Sequence, residues 1–433
     1  MQRSWSRIFA LALGIPMLLA MLAACGSGTT GSGTTATNSA GSTTIKIATE
    51  LPVSGKDTSS GKPAENGAHF AVDEAVKNKT IPGYNLVFDP KDDVGPSGSH
   101  DPAVGQKNVT DLIGDALVAG IVGPFNSNVA KSVMPVANQA PIALISPSNT
   151  NQCLTQSSAA VGCDGANNLI PSLRPTGKVT YFRIATTDDH QSTVAADFLF
   201  KQKHLTKVYV IDDTEVYGLG IANGFEKEWK NLGGTELGRK SVPSSTNSYV
   251  SLLTQVAATH PDVIFFGGTS STGGIQIRKQ MGQVPALQNV AYAGGDGIQT
   301  NDFPTTIGSG GGPSYSTVAA VNADSIPSAK SFIDSYKTTY GASAYGAYSA
   351  GGYDCAKILI NAIKKVVIDE KISTPKDASD TTQAKVFRQA VIDAIQGTDY
   401  TGVTGHHTFD SNGDTTNKVI SIYQVAEDKG APA

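Results

Sequence analysis

GPFNSNVAKSVMPVANQAPIALISPSNT, residues 123–150, is the stretch whose reading decides the fold. The apolar run before it, 117–122, reads as a buried strand. The turn Gly123-Pro124-Phe125-Asn126-Ser127 leads into Val129, Val133, Val136 and Ala137 at helical spacing. A second apolar run, 142–145, ends in Ser146-Pro147-Ser148-Asn149-Thr150. Strand, helix, strand in this order builds a parallel sheet. Asn126 and Ser127 fall where a helix N-cap belongs. Unpaired N–H groups and the positive dipole end make such a position favourable for an anion, a carboxylate included. Two polar strand ends side by side suit a small polar ligand, because open α/β sheets bind at the carboxyl ends of their strands. Plain capping by Ser127 and a plain turn at 146–150 are the competing readings.

Upstream, the run 45–49 (IKIAT) reads as a first strand. A loop through Ser60 and Gly61 follows, then an amphipathic helix over 66–76. A strand at 85–89 and a helix at 103–112 complete a β-α-β-α-β-α-β series, as in a doubly wound parallel sheet. Downstream of a polar insert, a second β/α series begins. It has an extended run at 180–184, a helix at 189–203, and strands at 207–211, 263–266 and 291–294. The loop 212–218 opens a helix over 220–232, and another helix spans 274–282. Three helical stretches return at 328–340, 349–367 and 383–396. The end reads as a hairpin of 405–410 with 419–425 around Ser411-Asn412-Gly413-Asp414. The fold class is therefore α/β, with two doubly wound, Rossmann-like lobes.

The extreme N-terminus is an export signal. Arg3 and Arg7 precede an apolar run over 8–21, and Leu22-Ala23-Ala24-Cys25 follows at once. This resembles the lipobox of bacterial lipoproteins, which implies cleavage before Cys25 and lipidation of its sulfur. Gly14 and Pro16 interrupt the short apolar run and argue against a spanning helix. Residues 26–44 are almost entirely Gly, Ser, Thr and Ala, a tether reaching about 25 Å as a coil. Cys153 and Cys163 lie in the polar insert of an exported chain, where a local disulfide is expected. Cys355 falls in a helical pattern and reads as a buried thiol.

Across 433 residues the formal net charge is −4, with 39% hydrophobic residues. This balance, with no basic cluster beyond the N-terminus, excludes a nucleic-acid role. There is no GxSxG elbow, HExxH or P-loop, so an enzyme is not expected. His406 and His407 are adjacent, and on a strand they point to opposite faces, so no metal site is expected. Asp212 and Asp213 read as capping or turn residues.

Taken together, IKIATELPVSG with Asn66-Gly67-Ala68, GPFNS with PVANQAPIALISPSNT, DDTEVYGLGIANGF, FFGG, GGDG and YDCAKIL resemble the substrate-binding proteins of branched-chain amino-acid ABC importers. These are lipoproteins and periplasmic proteins of the type I periplasmic-binding-protein fold, leucine/isoleucine/valine-binding-like. The resemblance covers nearly all of 45–425. It implies two lobes joined by three crossovers, a ligand cleft between them, and closure on binding. It divides the chain into 1–24 as signal peptide, 25–44 as lipidated tether, 45–183 and 320–406 as lobe 1, and 184–319 and 407–433 as lobe 2. By the same resemblance Ser127 holds a ligand carboxylate with Asn149 and Thr150, Asp296 meets an ammonium, and Tyr217 packs near the ligand. Ser60 and Thr269 stand where relatives carry aromatic residues, which makes the expected pocket wall more polar. The implied partners are a small amino-acid-like ligand, a membrane permease and, through the lipid, the membrane; a monomer without cofactor is expected. A sensor lipoprotein, or a ligand such as a small amide, urea or an aromatic acid, is the alternative, since one fold serves all of these.

Overall fold

Each lobe is built on one twisted sheet, and the computed structural model describes residues 43–307 and 311–424 of the chain. The signal, Cys25 and nearly all of the tether lie outside the described residues. The first series runs β1 (Thr43–Leu51), α1 (Thr58–Lys77), β2 (Tyr84–Asp92), α2 (Pro102–Gly114), β3 (Val118–Val122), α3 (Ser127–Gln139), β4 (Ala143–Ser146), α4 (Ile170–Leu173) and β5 (Tyr181–Arg183). The five strands form a parallel sheet in the order β2-β1-β3-β4-β5. β3 and β4 are buried along their whole length, as strands covered on both faces must be.

The second series runs α5 (Asp188–Asp197), β6 (Lys207–Asp212), α6 (Val216–Asn231), β7 (Thr235–Ser241), α7 (Val250–Ala257), β8 (Val263–Gly267), α8 (Ile275–Met281), β9 (Ala291–Gly294), α9 (Phe303–Ile307) and β10 (Ser314–Val318). The chain then returns to the first lobe with α10 (Lys330–Tyr340), α11 (Ser349–Lys364), α12 (Thr381–Gln396), β11 (Tyr400–Gly402) and β12 (Gly405–His407), and the last described element is β13 (Ser421–Gln424). The second sheet has the order β13-β10-β9-β8-β6-β7, with only β13 antiparallel to its neighbour. Core side chains sit on both faces of each sheet. Ile47, Leu359 and Phe387 share one cluster of the first lobe and Ile121, Val133 and Leu144 the other. Phe225 with Trp229 and Tyr249 with Phe266 do the same in the second lobe.

Several expectations need correction. α1 begins at Thr58, so Ser60 and Gly61 are helical rather than loop. α6 begins at Val216, which takes Tyr217 into its first turn. β7, α7 and β10 escaped the reading: β7 and β10 are half-polar without a clean alternation, and β7 carries no fully buried residue, whereas α7 does hold Leu253, Val256 and Ala257 at helical spacing on its buried face. The expected terminal hairpin does not form. β12 pairs back with β11, and β13 crosses to pair with β10. Residues 411–414 still make a turn, closed by a bridge between Phe409 and Thr415. Phe409 packs in the first lobe's core, so the chain passes to the second lobe after this turn rather than at 407.

That turn is anchored by charge. Arg183 and Asp414 are both fully buried and pair at 2.7 Å, while Arg183 also donates to the Asn151 carbonyl at 2.8 Å. The insert before β5 is closed by a disulfide between Cys153 and Cys163. Cys355 is a buried thiol in α11. His407 is buried between the Thr404 and Thr415 hydroxyls while His406 is exposed, as opposite strand faces require.

Candidate functional site

Five segments converge on a small cavity between the lobes. Ser59 and Ser60 come from α1, Phe125 and Asn126 from the turn after β3, and Thr269 from the end of β8. Asp296, Gly297, Gln299 and Thr300 follow β9, and Ala347 with Tyr348 precede α11. Three of the segments are carboxyl ends of strands, where the open sheet leaves a crevice. The free volume is about 20 Å³, room for little more than a water.

The turn after β3 exists because of Gly123. Its φ is +134°, and a Cβ there would come within 2.2 Å of the Glu50 carbonyl oxygen. The turn is then tied to the next strand end. Asn149 donates through Nδ2 to the Phe125 carbonyl at 2.6 Å and accepts through Oδ1 from the Tyr181 hydroxyl at 2.9 Å. α1 and α11 bring their ends to the cavity because Gly67 lets them approach. A Cβ at Gly67 would meet the Ser349 carbonyl oxygen at 2.0 Å.

Asp296 is the charge of the site. Its Oδ1 accepts from Gln191 Nε2 at 2.7 Å and from the Tyr217 hydroxyl at 2.9 Å; its Oδ2 accepts from the Tyr348 hydroxyl at 2.8 Å. Burial raises its pKa above the ordinary carboxylate value, and these three donors pull it partly back. All three are neutral, and no ion pair reaches Asp296 among the described residues. Behind it lies a second buried carboxyl, Asp188. Gln191 donates to its Oδ1 at 3.3 Å, while its Oδ2 has no hydrogen-bond partner. Burial first, and the nearby Asp296 second, push the Asp188 pKa well up. The buried Arg183 pulls the Asp188 pKa partly back, but it pairs with Asp414 and makes no ion pair with either carboxyl.

α3 opens the opposite side. Asn126 holds its N-cap position with no side-chain cap bond, and its Oδ1 is buried without a partner. Ser127, the first helical residue, is buried, and its hydroxyl makes no hydrogen bond with any described residue. Asn128 Oδ1 accepts the Val129 N–H at 2.9 Å, which leaves the Ser127 and Asn128 N–H groups at the start of this 13-residue helix to suit an anion.

Of the residues expected from sequence, Ser60, Thr269 and Asp296 line the cavity. Ser127, Asn149, Thr150 and Tyr217 stand just behind its wall. Asn149 spends its side chain on the turn, Tyr217 bridges Asp296 Oδ1 and the Gly297 N–H, and Thr150 receives the Asp188 N–H on its carbonyl at 2.8 Å. Thr269 is partly committed as well, in a reciprocal capping box with Thr272. Ser60 and Thr269 add polar groups to the wall, but the wall also carries aromatic side chains that the sequence did not point to. Phe125 and Tyr348 both face the cavity and pack edge to face, with centroids 5.6 Å apart. Phe125 lies inside the turn already singled out, and its alternation with polar neighbours carried no sign of exposure to a cleft. Tyr348, Gln191 and Asp188 were missed because nothing local links them to Asp296.

The lobes meet around this cavity. Tyr348 of the first lobe reaches Asp296 of the second, Asn151 donates to the Val216 carbonyl at 2.8 Å, and Asn301 donates to the Ser343 and Tyr345 carbonyls at 3.0 Å. Two doubly wound lobes closed over a polar crevice define a protein of the class that captures small molecules by closing on them. A family profile described as periplasmic binding protein matches residues 44–431, and the chain belongs to that family. Its members are extracytoplasmic binding proteins, not enzymes, that deliver small molecules to membrane permeases.

Leu/Ile/Val-binding protein BraC3 of Rhizobium johnstonii is 26% identical over 382 residues, covering 88% of this chain and 91% of that one. Among solved structures, a leucine-binding protein from Thermotoga maritima aligns with a TM-score of 0.70 at 22% identity, over 87% of this chain and 94% of that one. A solute-binding protein from R. palustris in complex with benzoate aligns with a TM-score of 0.69 at 16% identity, over 88% and 93%.

Proposed function

We propose that this chain is a lipid-anchored solute-binding protein that captures a small ligand carrying both a carboxylate and an amine, an amino acid above all, and delivers it to an ABC importer. The observation that carries the reading is Asp296: a buried carboxylate at the cavity wall, held by three neutral donors and, among the described residues, in no ion pair. A ligand ammonium supplies the missing charge. The start of α3, with Ser127 and the N–H groups that Asn126 leaves without a side-chain cap, supplies an anion site on the other lobe, so only the closed state pairs both ends of a zwitterion. The similarity to leucine-binding proteins supports the same reading. A simple aromatic acid, as in the benzoate complex, has no amine to offer Asp296 and Asp188. The small free volume favours a small or polar ligand.

Lipid anchoring rests on Leu22-Ala23-Ala24-Cys25 at the end of the apolar run. A thermal-shift screen against amino acids, small amides, urea and aromatic acids tests the ligand class. A ligand at 100 times its Kd adds about 2.7 kcal/mol. Stabilisation by amine-free acids alone, with none by any amino acid, refutes the reading.

A further inference from the structure

Away from the cavity, a second contact joins the lobes through charge. His100 lies in the loop between β2 and α2, and its ring is fully buried. Its Nδ1 lies 3.0 Å from Asp57 Oδ2 in the first lobe, and its backbone N–H donates to the same oxygen at 2.7 Å. Its Nε2 lies 2.8 Å from Oε2 of Glu215, which belongs to the second lobe. Asn128, from the first turn of α3, donates to that same Glu215 oxygen at 3.0 Å.

With acceptors on both ring nitrogens, the ring satisfies both only as the imidazolium, because a neutral imidazole donates from one nitrogen only. The placement of Glu215 is unusual. It occupies the N-cap position of α6, yet its side chain does not cap the helix. It reaches across the cleft instead. The residue before it, Thr214, has a φ of +69°, a costly conformation for a β-branched residue. Asp212 Oδ1 and Asp213 Oδ1 hold this turn by accepting the Thr214 and Glu215 N–H groups. The turn is therefore over-determined in a shape that aims Glu215 at the first lobe.

We propose that Glu215, His100, Asp57 and Asn128 form an interlobe latch that sets the closing equilibrium, and through it ligand affinity, without touching the ligand. The proposal rests on closure of the two lobes and not on the identity of what they enclose. Every bond to Glu215 from the first lobe exists only in the closed form. Opening leaves the His100–Asp57 pair within one lobe and frees Glu215 to water. Closure therefore raises proton affinity at His100 and is itself favoured by protonation.

The sign follows from the direction of the shift. The hydrogen bonds and charges of Asp57 and Glu215 outweigh burial and hold the closed-state pKa of His100 well above its ordinary value. The latch is at full strength below the open-state value and weakens as pH rises through the closed-state value. The other charged groups facing the ring are all acidic. Asp93 and Asp213 are pushed up to about 7, chiefly by burial, while Asp92 and Glu50 stand behind Asp93. Ser271 of the second lobe also faces Asp57.

Small-angle X-ray scattering of the ligand-free protein between about pH 5.5 and pH 9 tests the latch. The variants are Glu215→Gln, whose side chain is partly exposed at the lip, and His100→Gln. A charge-assisted interlobe bond shifts the closed-to-open ratio by about 10- to 150-fold. The wild type is expected to be more compact than either variant near neutral pH and to expand as pH rises. Glu215→Gln is expected to be more open and to lose most of that pH dependence. Whatever pH dependence survives in His100→Gln belongs to Asp93 and Asp213. Identical radii and identical pH profiles in wild type and Glu215→Gln overturn the proposal, as does a wild type that is open at every pH. A ligand without an amine would refute the amino-acid reading and leave this result standing.

Discussion

Replacing Asp296 is expected to separate binding from stability, because on the proposed reading its carboxylate serves the ligand at a cost to the free protein. In the reading proposed here, Asp296→Ala leaves a ligand ammonium enclosed with no counter-charge. Removing one partner of a buried pair costs about 3–5 kcal/mol, a loss of roughly 150- to 5,000-fold in affinity. Asp296→Asn keeps the shape and an acceptor for Tyr217 and Gln191 but removes the charge, so its affinity is expected nearer to the alanine variant than to wild type.

The free protein should respond in the opposite direction. Burial holds the Asp296 pKa above its ordinary value of 3.8 despite three donated hydrogen bonds. A group raised on folding contributes its full stability below the unfolded value and loses it as pH rises through the folded value. Above that window the ionised Asp296 is a net burden on the ligand-free fold. Asp296→Asn should therefore unfold at a temperature equal to or above that of wild type near pH 7, and the gain should vanish in acid. Calorimetric titration with the ligand found by the screen, alongside thermal scans from acid to neutral pH, measures both halves. Affinity of Asp296→Ala within about threefold of wild type would sink the ammonium assignment. A marked fall in the melting temperature of ligand-free Asp296→Asn would show that the carboxylate is structural instead.

Three further outcomes are expected. Ser127→Ala should weaken ligand binding by about 10- to 150-fold if its hydroxyl meets a carboxylate, measured by the same titration; an unchanged Kd assigns the anion to Asn126 and the backbone alone. Asp414→Ala strands the buried Arg183 and should cost about 3–5 kcal/mol in urea unfolding, whereas a loss below about 1 kcal/mol would mean that water reaches the guanidinium. Cys25→Ala should release the protein from membranes in cell fractionation, and a variant that remains bound, with no lipid label on the wild type, removes the lipoprotein assignment.

The sequence alone determined the architecture and the chemistry of single positions. The run 117–150 spelled out strand, turn, helix and strand because complete burial leaves an unbroken apolar pattern, and β3 and β4 are buried at every residue. Asp296 was singled out only through the family resemblance, since a carboxylate between two glycines after a strand reads by itself as a turn residue. The half-exposed β7, with no fully buried residue, left no such pattern.

What needed the tertiary structure was every relation between distant segments. Asn149 looked like a ligand group because its amide is polar and follows a strand, yet its amide is spent on Phe125 and Tyr181. Tyr348 reaches Asp296 across 52 residues of sequence and Glu215 reaches His100 across 115. Hydrogen bonds depend on where two surfaces meet after the lobes close, and local periodicity reports only which face of an element is buried.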